Sequence, residues 1–320
     1  MIPEEEEYKP FIENTVMPFL TRRLHKGEFK AFDGLKLYYE YYTVKNPRGA
    51  VVICHGFTEC IQKYKEMIYY FLRRHYMVFA MDWRGHGYSG RQADNLHKVY
   101  VESFQHYITD LHNFITRIVI PNSPGLDRYL YAHSMGGAIG AAFLEQYPLT
   151  FKKAILNAPM IRMQTANVPE AAAFAIAALK HFTGHGKDFV LGQNQTIDND
   201  RFETCAARSR ARFEYHLQRR RNNELLQTSG STYDWLYHNI IGTHQLTARR
   251  RCKKIITPLL ILTSDHDTCV KNSGIHKFFR RLPGEKHLCL VKNSRHEIYS
   301  NDTKQSVGAY YKKVFQFFEG

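Results

Sequence analysis

Short, uninterrupted apolar runs alternate along the chain with longer stretches in which apolar residues recur every three or four positions. Ala50–Cys54, Met77–Met81, Tyr129–Ala132, Ala154–Leu156, Leu259–Leu262 and His287–Val291 have strand length. Tyr64–His75, Ser103–Ile120, Gly136–Tyr147, Ser273–Arg281 and Thr303–Phe318 carry the helical period. Strands without polar alternation are covered on both faces, so the pattern predicts an α/β fold with a mostly parallel central sheet flanked by helices. Ahead of it, Phe29 to Phe32 and Leu35 to Tyr42 flank Asp33-Gly34, a hairpin signal. Between Met160 and Lys254 the rhythm stops, and the chain reads polar and helical with no convincing strand. The sheet resumes at Thr257-Pro258-Leu259. The expected organisation is a core of residues 1–159 and 255–320 with a helical cap inserted at 160–254.

Composition narrows the class. With 320 residues, 44% hydrophobic and 23% charged, collagen-like, coiled-coil and disordered chains are excluded. The net charge of +14 suggests an anionic partner: nucleic acid, a membrane surface or a phosphate-bearing substrate. Half of that excess falls in the insertion, which holds 15 basic and 8 acidic residues. The six cysteines show no C-x-x-C or zinc-finger spacing and read as thiols, which fits a reducing compartment. Cys54 and Cys289 are expected on buried strands. The start, Met1-Ile2-Pro3 followed by Glu4 to Glu7, is the reverse of a signal peptide. The longest apolar run, Ala171 to Leu179, falls short of the ~20 residues that span a bilayer. A cytoplasmic location is expected, with peripheral membrane attachment left open.

The strand Tyr129–Ala132 runs into Ala132-His133-Ser134-Met135-Gly136-Gly137 and then a helix of small residues. Strand, sharp turn on serine, helix: this is the context of a nucleophile elbow, with alanine in place of its first glycine. Ser134 is the expected nucleophile. Acyl transfer also needs oxyanion donors, a base and an acid that orients the base. His55-Gly56-Phe57-Thr58-Glu59 follows the Ala50–Cys54 strand, which makes the backbone N–H groups of Phe57 and Met135 the expected oxyanion pair. His55 is read as ordering that loop. After Leu259–Leu262 comes Ser264-Asp265-His266-Asp267-Thr268-Cys269-Val270. Asp267, three residues before the apolar Val270, is the expected acid, with Asp265 as the alternative. His296, beyond the last strand, is the expected base. The tract Asp82 to Gly90 is read as a structural corner.

These residues resemble a family. His55-Gly56, Asp82-x-Arg84-Gly85-His86-Gly87-x-Ser89-Gly90, Ala132-His133-Ser134-Met135-Gly136-Gly137 and Asp267-x-x-Val270 are similar to the monoglyceride-lipase-like α/β-hydrolases. Asn157-Ala158-Pro159-Met160 and Gly230-x-Thr232-Tyr233-x-Trp235 point within that group to the bacterial lysophospholipase L-two family. The resemblance implies the α/β-hydrolase fold and hydrolysis of the acyl ester of lysophospholipids, with acyl transfer to lipid acceptors as a further activity. It also implies no metal or cofactor, and peripheral binding at the inner face of the inner membrane. Read as one helix, Arg201–Arg219 places Arg201, Arg208, Arg212 and Arg219 within about 20° of a common line, a basic stripe for substrate phosphate or an anionic membrane surface. Ala171 to Leu179 could line an acyl tunnel. Monoacylglycerol lipase and general carboxylesterase remain as alternatives. A non-catalytic hydrolase-fold interaction protein would lack part of the Ser, Asp and His set, and nothing is missing here. No nucleic-acid-binding motif is present, so no nucleic-acid partner is expected.

Overall fold

Ten strands lie along the chain in the computed structural model, which describes residues 2–166, 168–194, 197 and 200–320. They are β1 (Leu24–Lys30), β2 (Lys36–Tyr42), β3 (Gly49–Cys54), β4 (Tyr76–Met81), β5 (Lys98–Val99), β6 (Arg128–His133), β7 (Lys153–Asn157), β8 (Gly230–Ser231), β9 (Leu259–Ser264) and β10 (Lys286–Val291). Met1, where the acidic opening begins, lies outside the described residues, as do Asn167, Gln195, Thr196, Asp198 and Asn199 of the polar stretch.

Eight strands form one sheet in the order β1-β2-β4-β3-β6-β7-β9-β10. The six from β4 to β10 run parallel, and β2 joins them antiparallel to both β1 and β4. The longer helices are α1 (Lys65–Arg73), α2 (Phe104–Phe114), α3 (Met135–Gln146), α4 (Glu170–Phe182), α5 (Arg210–Arg221), α6 (Tyr233–Leu246), α7 (Asn272–Arg281) and α8 (Lys304–Glu319). Side chains alternate across the sheet because successive strand residues point to opposite faces. Val52, Phe79, Leu130, Leu156 and Ile261 pack against α2, α3 and α7 on one face. Val51, Ile53, Val78, Tyr131 and Leu262 pack on the other, against α1, α8 and residues 8–21. Both faces are covered, as continuous apolar strands require, and the α/β-hydrolase architecture follows.

Two expectations shift. The hairpin's strands pair from Lys30↔Lys36 outward, so five residues rather than two make the turn, with Gly34 at φ 83°. Strand β10 is an edge strand, which leaves Leu290 52% exposed and Cys289 half-buried instead of in the core. All six cysteines are free thiols. Between β7 and β9, the only strand among the described residues is the two-residue β8, which pairs with β5 away from the main sheet.

The Asp82–Gly90 tract forms a corner held from inside. Arg84 is fully buried and makes two hydrogen bonds to Asp110, at 2.6 and 2.9 Å, and a third to Asp33 at 2.9 Å. Gly87 sits at φ 49° against Asp82, where a Cβ would lie 2.1 Å from the carboxylate. Removing one partner of a buried ion pair strands the other charge. Asp110→Ala should therefore cost about 3–5 kcal/mol of stability, read from denaturant unfolding. A loss under about 1 kcal/mol would show that water or Asp33 alone can carry Arg84.

Candidate active site

Strand β6, wedged between β3 and β7, delivers Ser134 at φ 52°, ψ −117°, a conformation that side-chain-bearing residues rarely hold. Neighbours over-determine it. The Ser134 N–H donates to the Asn157 carbonyl (3.0 Å), and the Ser134 carbonyl accepts from Met160 N–H (2.8 Å). Helix α3 then starts so close to β3 that a Cβ on Gly136 would lie 2.4 Å from the Cys54 carbonyl oxygen. A Cβ on Gly137 would lie 2.8 Å from Pro159 Cα. The small residues of the motif are thus a steric requirement, and Ala132, 0% exposed, meets it where the pattern has glycine.

His296 lies beyond β10 with Nε2 2.8 Å from Ser134 Oγ and Nδ1 2.8 Å from Asp267 Oδ2. The other Asp267 oxygen accepts the N–H groups of Cys269 and Val270, both at 2.9 Å, which fixes the carboxylate. Burial works to raise the Asp267 pKa, but His296 and these two amides outweigh it and hold it below the usual range. Asp265 faces elsewhere. It accepts the N–H groups of Asn293 (2.8 Å) and Ser294 (3.0 Å), joining the two loops that carry Asp267 and His296. With Nδ1–H donated to Asp267, His296 Nε2 is free to accept the Ser134 proton.

Phe57 and Met135 follow β3 and Ser134 in the chain. Among the described residues, neither backbone N–H has an acceptor, the condition an oxyanion site needs. The loop around Phe57 is anchored on both sides. His55 donates Nδ1–H to the Gly56 carbonyl and accepts Trp83 N–H at Nε2 (3.1 Å), so it orders the loop. Glu59 accepts Gly56 N–H at 2.7 Å, Tyr64 OH at 2.6 Å and Tyr299 OH at 3.2 Å. Lys63 bridges Glu59 and Glu297, the residue after His296. Burial alone would raise the Glu59 pKa; Lys63 and His133 reverse that and hold it well below the carboxylate range. Glu59, Lys63 and Glu297 were not singled out from sequence. Lys63 and Glu297 stand 234 residues apart, and no local pattern marks the pairing.

A cavity of about 750 Å³ opens above Ser134. Met160, Met163, Ala173, Ile176, Leu236 and Val270 line one part of it, and Trp235 packs on Phe57 with ring centroids 4.3 Å apart. Helix α4, the expected tunnel wall, contributes Ala173 and Ile176. The loops bearing Asp267 and His296 are tied to residues 160–254 through backbone. Met163 bridges to Val270, and Gln164 N–H reaches the Cys269 carbonyl at 2.8 Å. Glu297 N–H reaches the Ala206 carbonyl at 2.9 Å, and Arg208 and Ser209 N–H share the Ser300 carbonyl.

The basic stripe is corrected. Helix α5 begins only at Arg210, because Ser209 caps it, accepting Arg212 N–H at 3.1 Å, and the preceding residues are held extended against Ser300. Arg201 and Arg208 lie before the helix. Arg212 is 4% exposed and meets Glu66 at 2.7 and 2.8 Å, and Arg208 meets Asp302 at 3.1 Å. Arg201 and Arg219 line the cavity. The Ser209-x-x-Arg212 capping geometry was the sequence signal that would have placed the helix start.

Asp267, Cys269 and His296 bring three donor atoms within 4.8 Å of one another. Although Cys269 reaches the surface, the protein packed around it and the Asp267 charge push its thiol up to about 12, and His296 Nδ1 is committed to Asp267. A protonated thiol and an engaged imidazole are a poor donor set for a metal.

Sheet order, elbow and the Ser–His–Asp constellation define an α/β-hydrolase-fold serine hydrolase. Residues 45–304 match the Hydrolase_4 family model, described as serine aminopeptidase, S33, and the chain belongs to that family. It is 28% identical to Lysophospholipase L2 of Escherichia coli K12 over 297 residues, covering 89% of this chain and 85% of the relative. It is 25% identical to a Monoacylglycerol lipase of Mycolicibacterium smegmatis, covering 90% and 94%. A soluble variant of monoglyceride lipase from Saccharomyces cerevisiae has the same fold at TM-score 0.75 and 20% identity, with 92% and 94% of the chains covered. A thermostable carboxyl esterase from Bacillus coagulans matches at TM-score 0.75 and 18% identity, covering 93% and 98%. The chain is a serine ester hydrolase.

Three imidazoles around the site are buried neutral. Burial pushes His55 down to about 4 and His133 to about 3, and takes His86 well below its ordinary value. The unfolded chain protonates all three below about pH 6.5, while the folded chain refuses those protons until far lower pH. Stability present above pH 6.5 is therefore lost as pH falls toward 4, by up to ~1.4 kcal/mol per pH unit for each imidazole. In His86→Gln, unfolding free energies measured from pH 6.5 to 4 should show a slope smaller by about that amount. An unchanged slope would mean His86 is protonated in the folded state.

Proposed function

We propose that this enzyme hydrolyses the acyl ester of lysophospholipids. The observation that carries the reading is the Ser134–His296–Asp267 relay, with both hydrogen bonds at 2.8 Å, at the floor of a cavity with an apolar wall. Ser134 Oγ attacks the ester carbonyl as His296 Nε2 takes its proton. The tetrahedral oxyanion is held by the N–H groups of Phe57 and Met135, and the proton passes to the departing glycerophospho-alcohol. A water, deprotonated by His296, then releases the fatty acid from Ser134, and a lipid alcohol in its place would receive the acyl group. No cofactor enters these steps. The likeness to Lysophospholipase L2 over 89% of the chain supports this substrate class. Monoacylglycerol hydrolysis is the second reading, favoured by the likeness to the mycobacterial lipase over 90% of the chain.

Residues 160–254 form the cap in this reading, over a core of 1–159 and 255–320. On α4, Ile176, Leu179 and Phe182 are 47%, 64% and 75% exposed, beside Lys180. We infer that this face rests on an anionic membrane surface, where each basic residue contributes ~1 kcal/mol. Among the described residues no helix is long and apolar enough to cross a membrane. A cytoplasmic enzyme bound peripherally at the inner face of the inner membrane fits that surface.

A panel of lysophospholipids and monoacylglycerols with one acyl chain tests the reading. Ser134→Ala should lower kcat by about 10⁴-fold or more, and Asp267→Asn by about 10⁴-fold. Asp265→Asn, which loses only a loop contact, should change kcat by less than about 10-fold. Residual full hydrolysis in Ser134→Ala sinks the mechanism, and a collapse confined to Asp265→Asn would reassign the acid.

A further inference from the structure

The wall of the cavity above Ser134 carries both apolar and basic stretches. One apolar stretch is built where Met163 bridges to Val270 and α4 supplies Ala173 and Ile176. A basic stretch follows the Phe57–Glu59 loop. Gln62 and Lys63, three and four residues beyond Glu59, form it together with His216 and Arg219 of α5. The basic residues of this wall are mostly spent. Lys63 meets Glu59 and Glu297, and Arg212 and Arg220 meet Glu66 and Asp200. Arg201 also lines the cavity but is exposed to solvent. Arg219 differs. It is half-buried, and among the described residues its partners are neutral: Gln62 Oε1 at 3.0 Å and Tyr215 OH at 3.4 Å. A guanidinium carries five N–H donors in a planar fork, so among the described residues part of its donor capacity is unused and no carboxylate answers its charge. Burial first, and then the charges of Lys63 and Arg219 against that of Glu59, push the neighbouring His216 down to about 3.

We propose that Arg219, oriented by Gln62, binds the phosphate of the lysophospholipid head group and so sets which way the lipid lies across Ser134. The acyl chain runs along the Met163–Ile176 stretch, and the glycerophosphate leaves toward Arg219. This rests on the lysophospholipid reading above. A monoacylglycerol carries the same acyl chain but offers Arg219 only neutral hydroxyls and no phosphate, so this arginine is a specificity determinant and not part of the chemical step.

The experiment measures kcat/KM, below the critical micelle concentration, for a lysophospholipid and a monoacylglycerol of the same chain. The proteins are wild type, Arg219→Gln, Arg219→Lys and Arg221→Gln. Arg221 is exposed, lies outside the cavity and controls for loss of one positive charge. Loss of a charge-assisted contact should lower kcat/KM of Arg219→Gln on the lysophospholipid by about 10- to 100-fold, mostly through KM. Monoacylglycerol turnover should stay within about 3-fold, which also reports intact folding. Arg219→Lys should recover part of the loss, and Arg221→Gln should match wild type on both lipids. Equal losses on the two lipids, or equal effects of Arg219→Gln and Arg221→Gln, would overturn the assignment. Inorganic phosphate at millimolar concentration should leave monoacylglycerol turnover unchanged; competitive inhibition abolished by Arg219→Gln would overturn the lipid head group as the ligand. If wild type hydrolyses no lysophospholipid, the substrate reading itself fails; if it does and Arg219 does not discriminate, only this assignment fails.

Discussion

The molecule is organised around one strained backbone turn. Holding Ser134 at φ 52° costs roughly 1–3 kcal/mol, and the cost is met by the contacts that surround it. Those contacts dictate the neighbourhood. Strand β7 must end where Asn157 can accept the Ser134 N–H, and β3 must end so close to Gly136 that no Cβ fits between them. The strand that passes so closely, β3, runs on into the loop that carries Phe57. A side chain at Gly136 would push the helix away from β3, and one at Gly137 would push it from Pro159.

What was legible in the sequence was whatever is written locally. The apolar runs gave the sheet because a strand buried on both faces has no polar positions. The elbow was readable because strand, serine and small residues are contiguous, and chain order then pointed to the Asp265–Asp267 loop and to His296. The choice over Asp265 rested on the spacing to Val270, whose N–H does hold the Asp267 carboxylate. Failures came where distant partners decide. A continuous helix over Arg201–Arg219 has a plausible period, but Ser300 claims the backbone of Arg208 and Ser209 and keeps it extended. Cys289 was read as core from its neighbours, yet β10 is an edge, a property of topology and not of the run itself.

The charge count shows the same limit. A net of +14 counts every basic residue alike, whereas Arg84, Lys63, Lys65 and Arg212 are folded inward onto carboxylates. Buried pairs of this kind add little net stability over apolar packing, but breaking one is expensive, so they specify geometry. Lys63 is the case closest to Ser134: by joining Glu59 to Glu297 it couples the position of the loop around Phe57 to that of the loop around His296. The surplus that matters for a ligand is smaller than the total and lies where a cation meets only neutral groups.

Backbone hydrogen bonds run from residues 162–164 to the loop of Asp267, and from residues 206–209 to the loop after His296. The boundaries drawn at 160 and 254 are therefore divisions of sequence and not of energy. The loops of Asp267 and His296 complete their hydrogen bonding on main-chain atoms of residues 160–254. A replacement for that segment would have to bring its backbone to the same places. What would have to travel together is the segment with both loops.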